Sequence, residues 1–174
     1  MVKRLVNGVL SDSEVKPTHP VCVFDIDDTV LTHHGGRNTR RLHGYNLYRW
    51  LLAKERPRVE IVFITARHDS KDGEARREAA ADLESVGCSQ YSKLLLMPPG
   101  VRTDDGVSRW KHQARESVRR GGERLLLTVG DNWWDCTMDA RGAGKRLART
   151  ADPSKYWVGN CSSQSWVSLK LPRL

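Results

Sequence analysis

The stretch Pro20-Val-Cys-Val-Phe-Asp-Ile-Asp-Asp-Thr-Val30 decides how the rest of this chain is read. Its first five residues form an apolar run with no period-two alternation, and the run ends abruptly in carboxylates at 25, 27 and 28. A strand covered on both faces needs such a run. Three later stretches have the same shape: VEIVFIT (59–65), KLLLM (93–97) and RLLLTVGD (124–131). The intervening segments have helical period. Leu47, Trp50 and Leu51 share a side in 45–54; Ala75, Ala79, Leu83 and Val86 do so in 73–86, where Gly87 supplies a stop; Val107, Trp110, Ala114 and Val118 do so in 107–120, before Gly121-Gly122. Alternating strands and helices predict an α/β fold of three layers, Rossmann-like, with a mainly parallel central sheet.

In such sheets ligands bind outside the carboxyl ends of the strands. Three of the four predicted strands end in reactive groups: Asp25-Ile-Asp27-Asp28-Thr29, Thr65-Ala66-Arg67, and Asp131-Asn-Trp-Trp-Asp135. Carboxylates two apart at one strand end, joined by acids from another, make a hard anionic pocket suited to magnesium and a phosphate oxygen. With the phosphate charge neutralised, a carboxylate can approach phosphorus as a nucleophile.

Composition narrows the classes. A chain of 174 residues, 39% apolar and 29% charged, is read as one globular domain over 1–174. No stretch reaches the roughly 20 apolar residues of a membrane span. The N-terminal MVKRLVNGVLSDSEVKP lacks the features of a secretory signal. Cys22, Cys88, Cys136 and Cys161 are too scattered for a zinc site and are expected to be reduced and buried, which points to an intracellular, cytoplasmic setting. A net charge of +8 favours an anionic substrate or partner, nucleic acid included.

FDIDDTV resembles the first motif of the haloacid dehalogenase superfamily, a hydrophobic strand followed by DxDxT. IVFITAR is similar to the second motif, and LLTVGDNWWD to the fourth, GDxxxD; together they span residues 20–135. The resemblance implies a magnesium-dependent phosphatase. Asp25 would be the nucleophile that forms an aspartyl-phosphate, and Asp27 the acid/base that protonates the leaving oxygen and then activates water. Magnesium would be held by the Asp25 side chain, the Asp27 carbonyl and Asp131, with Asp135 in support. Thr65 and backbone N–H groups near Asp27 and Ala66 would bind phosphoryl oxygens, with Arg67 among the substrate-binding residues. Thr29 would brace the loop.

A motif lysine should neutralise charge around the transferring phosphoryl group. Lys111 is favoured over Lys93, because a lysine opening a strand lies at the wrong edge of a parallel sheet. WKHQARES followed by GDNWWD is similar to the plant and bacterial acid phosphatase branch, which makes Arg115 the accompanying substrate-binding arginine. Neither 30–58 nor 66–110 can hold a full cap domain. The expected site is open, which suits a protein or polynucleotide end as substrate, or a homodimer whose second subunit covers it.

Two other readings compete with a general phosphomonoesterase. LLLMPPGVRTDDGVSRWKHQ resembles the corresponding region of polynucleotide 3′-phosphatases, and a catalytically silent phosphate- or nucleic-acid-binding relative is the rival of a different class. His33, His34, His43, His68 and His112 read as solvated, and Trp50 and Trp110 as core. The basic residues Arg37, Arg40 and Arg41 fall on a flap expected over the site, where they would draw in phosphorylated substrates. Residues 152–174 read as irregular chain with one short strand near Tyr156-Trp157-Val158.

Overall fold

The structure is a computed structural model that describes residues 7, 20–54, 58–120, 124–136, 157–160 and 167–172. Strand β1 (Pro20–Phe24) lies centrally in a six-stranded sheet with β4 (Glu60–His68), β5 (Lys93–Met97), β6 (Arg124–Gly130), β7 (Trp157–Asn160) and β8 (Val167–Lys170). The order is β5-β4-β1-β6-β8-β7, parallel except for the antiparallel edge strand β7.

Alternate residues of β1 enter two separate cores. Cys22 and Phe24 pack with Tyr48 and Leu51 of α1 (Leu42–Leu52) and with Ala79 and Leu83 of α2 (Glu74–Ser85). Val21 and Val23 pack with Ala114 and Val118 of α3 (Asp104–Arg120). Helices therefore cover both faces, and the expected three layers are present. Trp50 and Trp110 pack against these two cores, as their spacing predicted.

Helices α1 and α3 start earlier than their apolar periodicity indicates. In α3 the Thr103 hydroxyl accepts the Gly106 N–H at 3.1 Å, and Asp104 and Asp105 occupy the first turn, where the helix dipole favours negative charge. In α1 the first turn includes Gly44, which lies so close to the Thr29 carbonyl that a Cβ would collide with it. That close approach locks the helix against the loop following β1.

Two elements lie beyond the sequence reading. Strand β4 continues through Thr65-Ala66-Arg67 to His68, with a register shift against β5 between Thr65 and His68 that re-aims this segment. The C-terminal stretch supplies β8, a buried parallel neighbour of β6, rather than irregular chain with one short strand. The polar residues of VSLK disguised it. Ser168 is buried but satisfied, accepting from the Thr128 hydroxyl at 3.0 Å and donating to the Cys136 carbonyl at 2.7 Å.

The flap is a hairpin of β2 (Leu31–His34) and β3 (Arg37–Arg40), turned by Gly35 and Gly36 at φ of 57° and 75°. Among the described residues no cap domain intervenes between β1 and α1 or between β4 and α3. No described helix is long and apolar enough to cross a membrane. Cys22, Cys88 and Cys136 are buried thiols. Cys161, Tyr156, Trp166 and the basic group Lys145, Arg146 and Arg149 lie outside the described residues.

Candidate active site

Parallel β1 and β6 deliver their C-terminal acids to one place. The Asp25 N–H donates to the Val129 carbonyl at 2.9 Å, which continues the ladder by one residue and fixes where its side chain emerges. Asp131 follows β6 directly, and Asp135 closes a short 3₁₀ turn, Trp133–Asp135. That turn is held at both ends: Asn132 donates from its backbone to Asp135 Oδ2 at 3.1 Å and from its side chain to both Asp131 oxygens at 3.0 Å. Residue 130 has to be glycine here, since a Cβ would run into the Asp135 carboxylate.

Asp25, Asp131 and Asp135 thereby form a buried cluster, each offering an oxygen within 4.8 Å of the others. Of the two candidate lysines, Lys111 reaches it. Its Nζ donates to Asp25 Oδ1 at 2.7 Å and to Asp135 Oδ1, and the side chain is 1% exposed. Lys93 is exposed at the start of β5. Burial pushes the Asp25 carboxyl well above its usual range, the Asp135 charge pushes further, and Lys111 opposes both. For Lys111, burial pulls the ammonium down but Asp135 and Asp25 outweigh it, so the group stays charged. With all four groups ionised, three carboxylates face one ammonium, and the remaining negative charge fits a divalent cation held by oxygen donors.

Asp27 is two residues away and in different surroundings. Its side chain is 42% exposed and lies outside the carboxylate cluster. Arg67 clamps it in a bidentate pair, Nε to Oδ2 at 3.0 Å and Nη2 to Oδ1 at 2.7 Å. Arg67 Nη1 donates in turn to Asp82 Oδ2 at 2.6 Å. His33, read as solvated from sequence, stands on the flap with Nε2 3.3 Å from Arg67 Nη2 and 3.8 Å from Asp27. Asp28 sits between the two environments in the left-handed region at φ 53°, its carboxylate accepting from the Thr32 hydroxyl at 2.8 Å.

Thr65 is fully buried, and its Oγ1 accepts the Arg67 N–H at 3.2 Å, which leaves the hydroxyl proton available to a ligand. Ala66, next to it on β4, is partly buried. Arg115 is buried on α3 and donates to the Trp134 carbonyl at 3.1 Å, bracing the turn that carries Asp135. Thr29 is buried at the loop through its backbone, its N–H donating to the Ile26 carbonyl at 3.2 Å. Asp82 and Asn38 had no sequence signal. Asp82 looks like any surface acid on an amphipathic helix, and only tertiary packing brings it beside Arg67.

The family model that matches residues 51–157 is that of the haloacid dehalogenase superfamily, subfamily IIIB (acid phosphatase). The chain belongs to this family. The matched segment carries Thr65, Lys111, Arg115, Asp131 and Asp135, and begins after Asp25 and Asp27. Two similar proteins come from Glycine max, both 26% identical. A stem 31 kDa glycoprotein aligns over 159 residues, 78% of this chain and 59% of its own length. A stem 28 kDa glycoprotein aligns over 168 residues, 83% of this chain and 63% of its own length. The chain thus spans about three fifths of these relatives. As a member of the acid phosphatase subfamily, it carries a fold and a motif set that support phosphatase chemistry.

Proposed function

We propose that this chain is a magnesium-dependent phosphomonoesterase working through an aspartyl-phosphate on Asp25. The observation that carries the reading is the buried cluster of Asp25, Asp131 and Asp135 bridged by Lys111, with Asp27 held outside it. Asp25, Asp131, Asp135 and the Asp27 backbone carbonyl would hold the ion. When bound, magnesium supplies charge neutralisation for the phosphate and the carboxylates around it.

The residues divide the work. An Asp25 oxygen attacks phosphorus, the bond from phosphorus to the leaving oxygen breaks, and Asp27 gives that oxygen its proton. Water then attacks phosphorus, the bond to Asp25 breaks, and the Asp27 carboxylate takes the proton from the water. Lys111 stays charged throughout and balances Asp25 and the phosphoryl oxygens. The Thr65 hydroxyl donates to one of those oxygens.

A panel of phosphoesters tests this directly. Magnesium should support hydrolysis of p-nitrophenyl phosphate, chelation should stop it, and no turnover on small esters, nucleotides, phosphopeptides or 3′-phosphorylated DNA would leave only the silent binding reading. One observation favours a polynucleotide end among substrates. The flap and the start of α1 frame a hollow of about 410 Å³ lined by Thr32, His34, Thr39, Arg40, Arg41, Leu42 and His43, with no acid among its lining residues. Activity on DNA ends should then fall steeply with salt while activity on the small ester does not.

A further inference from the structure

The outer half of the site contains a relay that the reaction as described does not use. Asp82 divides its two oxygens between different elements: Oδ2 takes Arg67 Nη1 at 2.6 Å, and Oδ1 takes the Asn38 amide of the flap at 2.6 Å. Arg67 turns its other two nitrogens, Nε and Nη2, to Asp27. One helix carboxylate therefore ties the flap hairpin, the end of β4 and the acid/base residue into a single set of hydrogen bonds. Asp82 is 26% exposed and Arg67 21%, so the set is only partly screened by solvent. Burial works against the Arg67 charge, but the bonds to Asp27 and Asp82 outweigh it and hold the guanidinium protonated.

We infer that Asp82 is a positioning residue: through Arg67 it holds Asp27 as an oriented carboxylate for the water-activating half of the reaction, and through Asn38 it fixes the flap beside it. The inference rests on the phosphatase reading above. A bidentate guanidinium occupies two of the roughly four lone-pair sites of a carboxylate and leaves others for water, and Asp27 is open enough for water to reach it. Without the Asp82 anchor, Arg67 has a free donor and a competing attraction to the substrate phosphate. Asp82 thus decides that Arg67 serves Asp27 rather than the phosphate.

The kinetic signature separates this role from a structural one. p-Nitrophenolate leaves without needing a proton, so forming the aspartyl-phosphate from p-nitrophenyl phosphate is insensitive to Asp27. Hydrolysing it is not. In Asp82→Asn, kcat should fall about tenfold while kcat/KM stays within about twofold, so that KM falls too and a burst of p-nitrophenolate near one equivalent per site appears. Asn38→Ala, which cuts only the flap limb, should lower kcat and KM together by about threefold and leave kcat/KM within about twofold, and it decides the matter if Asp82→Asn fails to fold in a thermal melt. An equal fall in kcat and kcat/KM with KM constant, or no change in either, overturns the inference while leaving the phosphatase reading intact. Absence of turnover in the wild type overturns both.

Discussion

Asp25 and Asp27 are two residues apart in one loop and live in opposite conditions. Asp25 is 6% exposed, beside two other carboxylates and one buried lysine; Asp27 is nearly half exposed and held by an arginine that is itself anchored from another helix. The period of an extended chain places both side chains toward one edge of the sheet, but what each can do is set by what packs against it. A buried carboxylate with an electrostatic debt is suited to hold a cation and attack phosphorus. A half-solvated carboxylate is suited to exchange protons with water and with a leaving group.

The most damaging way to break this contrast is to neutralise the inner member. Asp25→Asn should abolish magnesium-dependent turnover, a loss of at least about 10⁴-fold for a missing nucleophile. The fold should persist, because the change relieves crowding among the carboxylates, and a circular-dichroism melt no lower than wild type would show it. Removing Lys111 does something different. Lys111→Ala should cost about 10²–10³-fold in kcat, as for loss of a charge-stabilising group. It also leaves Asp25 and Asp135 buried without their shared cation, which should cost stability of about 3–5 kcal/mol. Added magnesium should recover part of that loss in a melt, and failure to do so would speak against the cluster as a cation site.

The inner cluster can also be probed without mutation. Because the Asp25 carboxyl is pushed up by burial and by Asp135, the folded chain holds that proton where the unfolded chain has lost it. Stability of the metal-free protein should therefore decline as pH rises from the ordinary carboxylate range through the raised one. Magnesium at 100 times its Kd should add about 2.7 kcal/mol at neutral pH, a rise in Tm of about 5–10 °C for a chain of this size. The rise should shrink as the solution is acidified and the carboxylates protonate. The smallest effect belongs to the other candidate lysine: Lys93→Ala should leave kcat within about twofold and stability within about 0.5 kcal/mol, since it is exposed at the far edge of the sheet.

Much of this was legible in the order of residues. The unbroken apolar run ending in Asp25 announced a doubly covered strand, and the helical stripes of 73–86 and 107–120 announced its covers. The choice of Lys111 over Lys93 followed from sheet direction together with the motif resemblance, and the structure brings Lys111 into the cluster. Strand β8 was hidden because its Ser168 and Lys170 read as solvent-facing, whereas Ser168 is buried between hydrogen-bonding partners. The start of α3 was hidden because Thr103, Asp104 and Asp105 form a cap and first turn, which hydrophobic periodicity does not register.

By itself the sequence determined the layering and the strand ends where chemistry collects, because apolar run length and strand polarity are local and additive properties, while the separate parts of Asp25, Asp131 and Asp135 were implied by the motif resemblance. Tertiary structure alone decided that Arg67 holds Asp27, that Asp82 anchors Arg67 from a helix and is itself bonded by Asn38 of the hairpin, and that Gly130 makes room for Asp135. Those contacts join residues up to 44 apart in the chain, and a hydrogen bond between such residues exists only once the sheet has placed their backbones within reach.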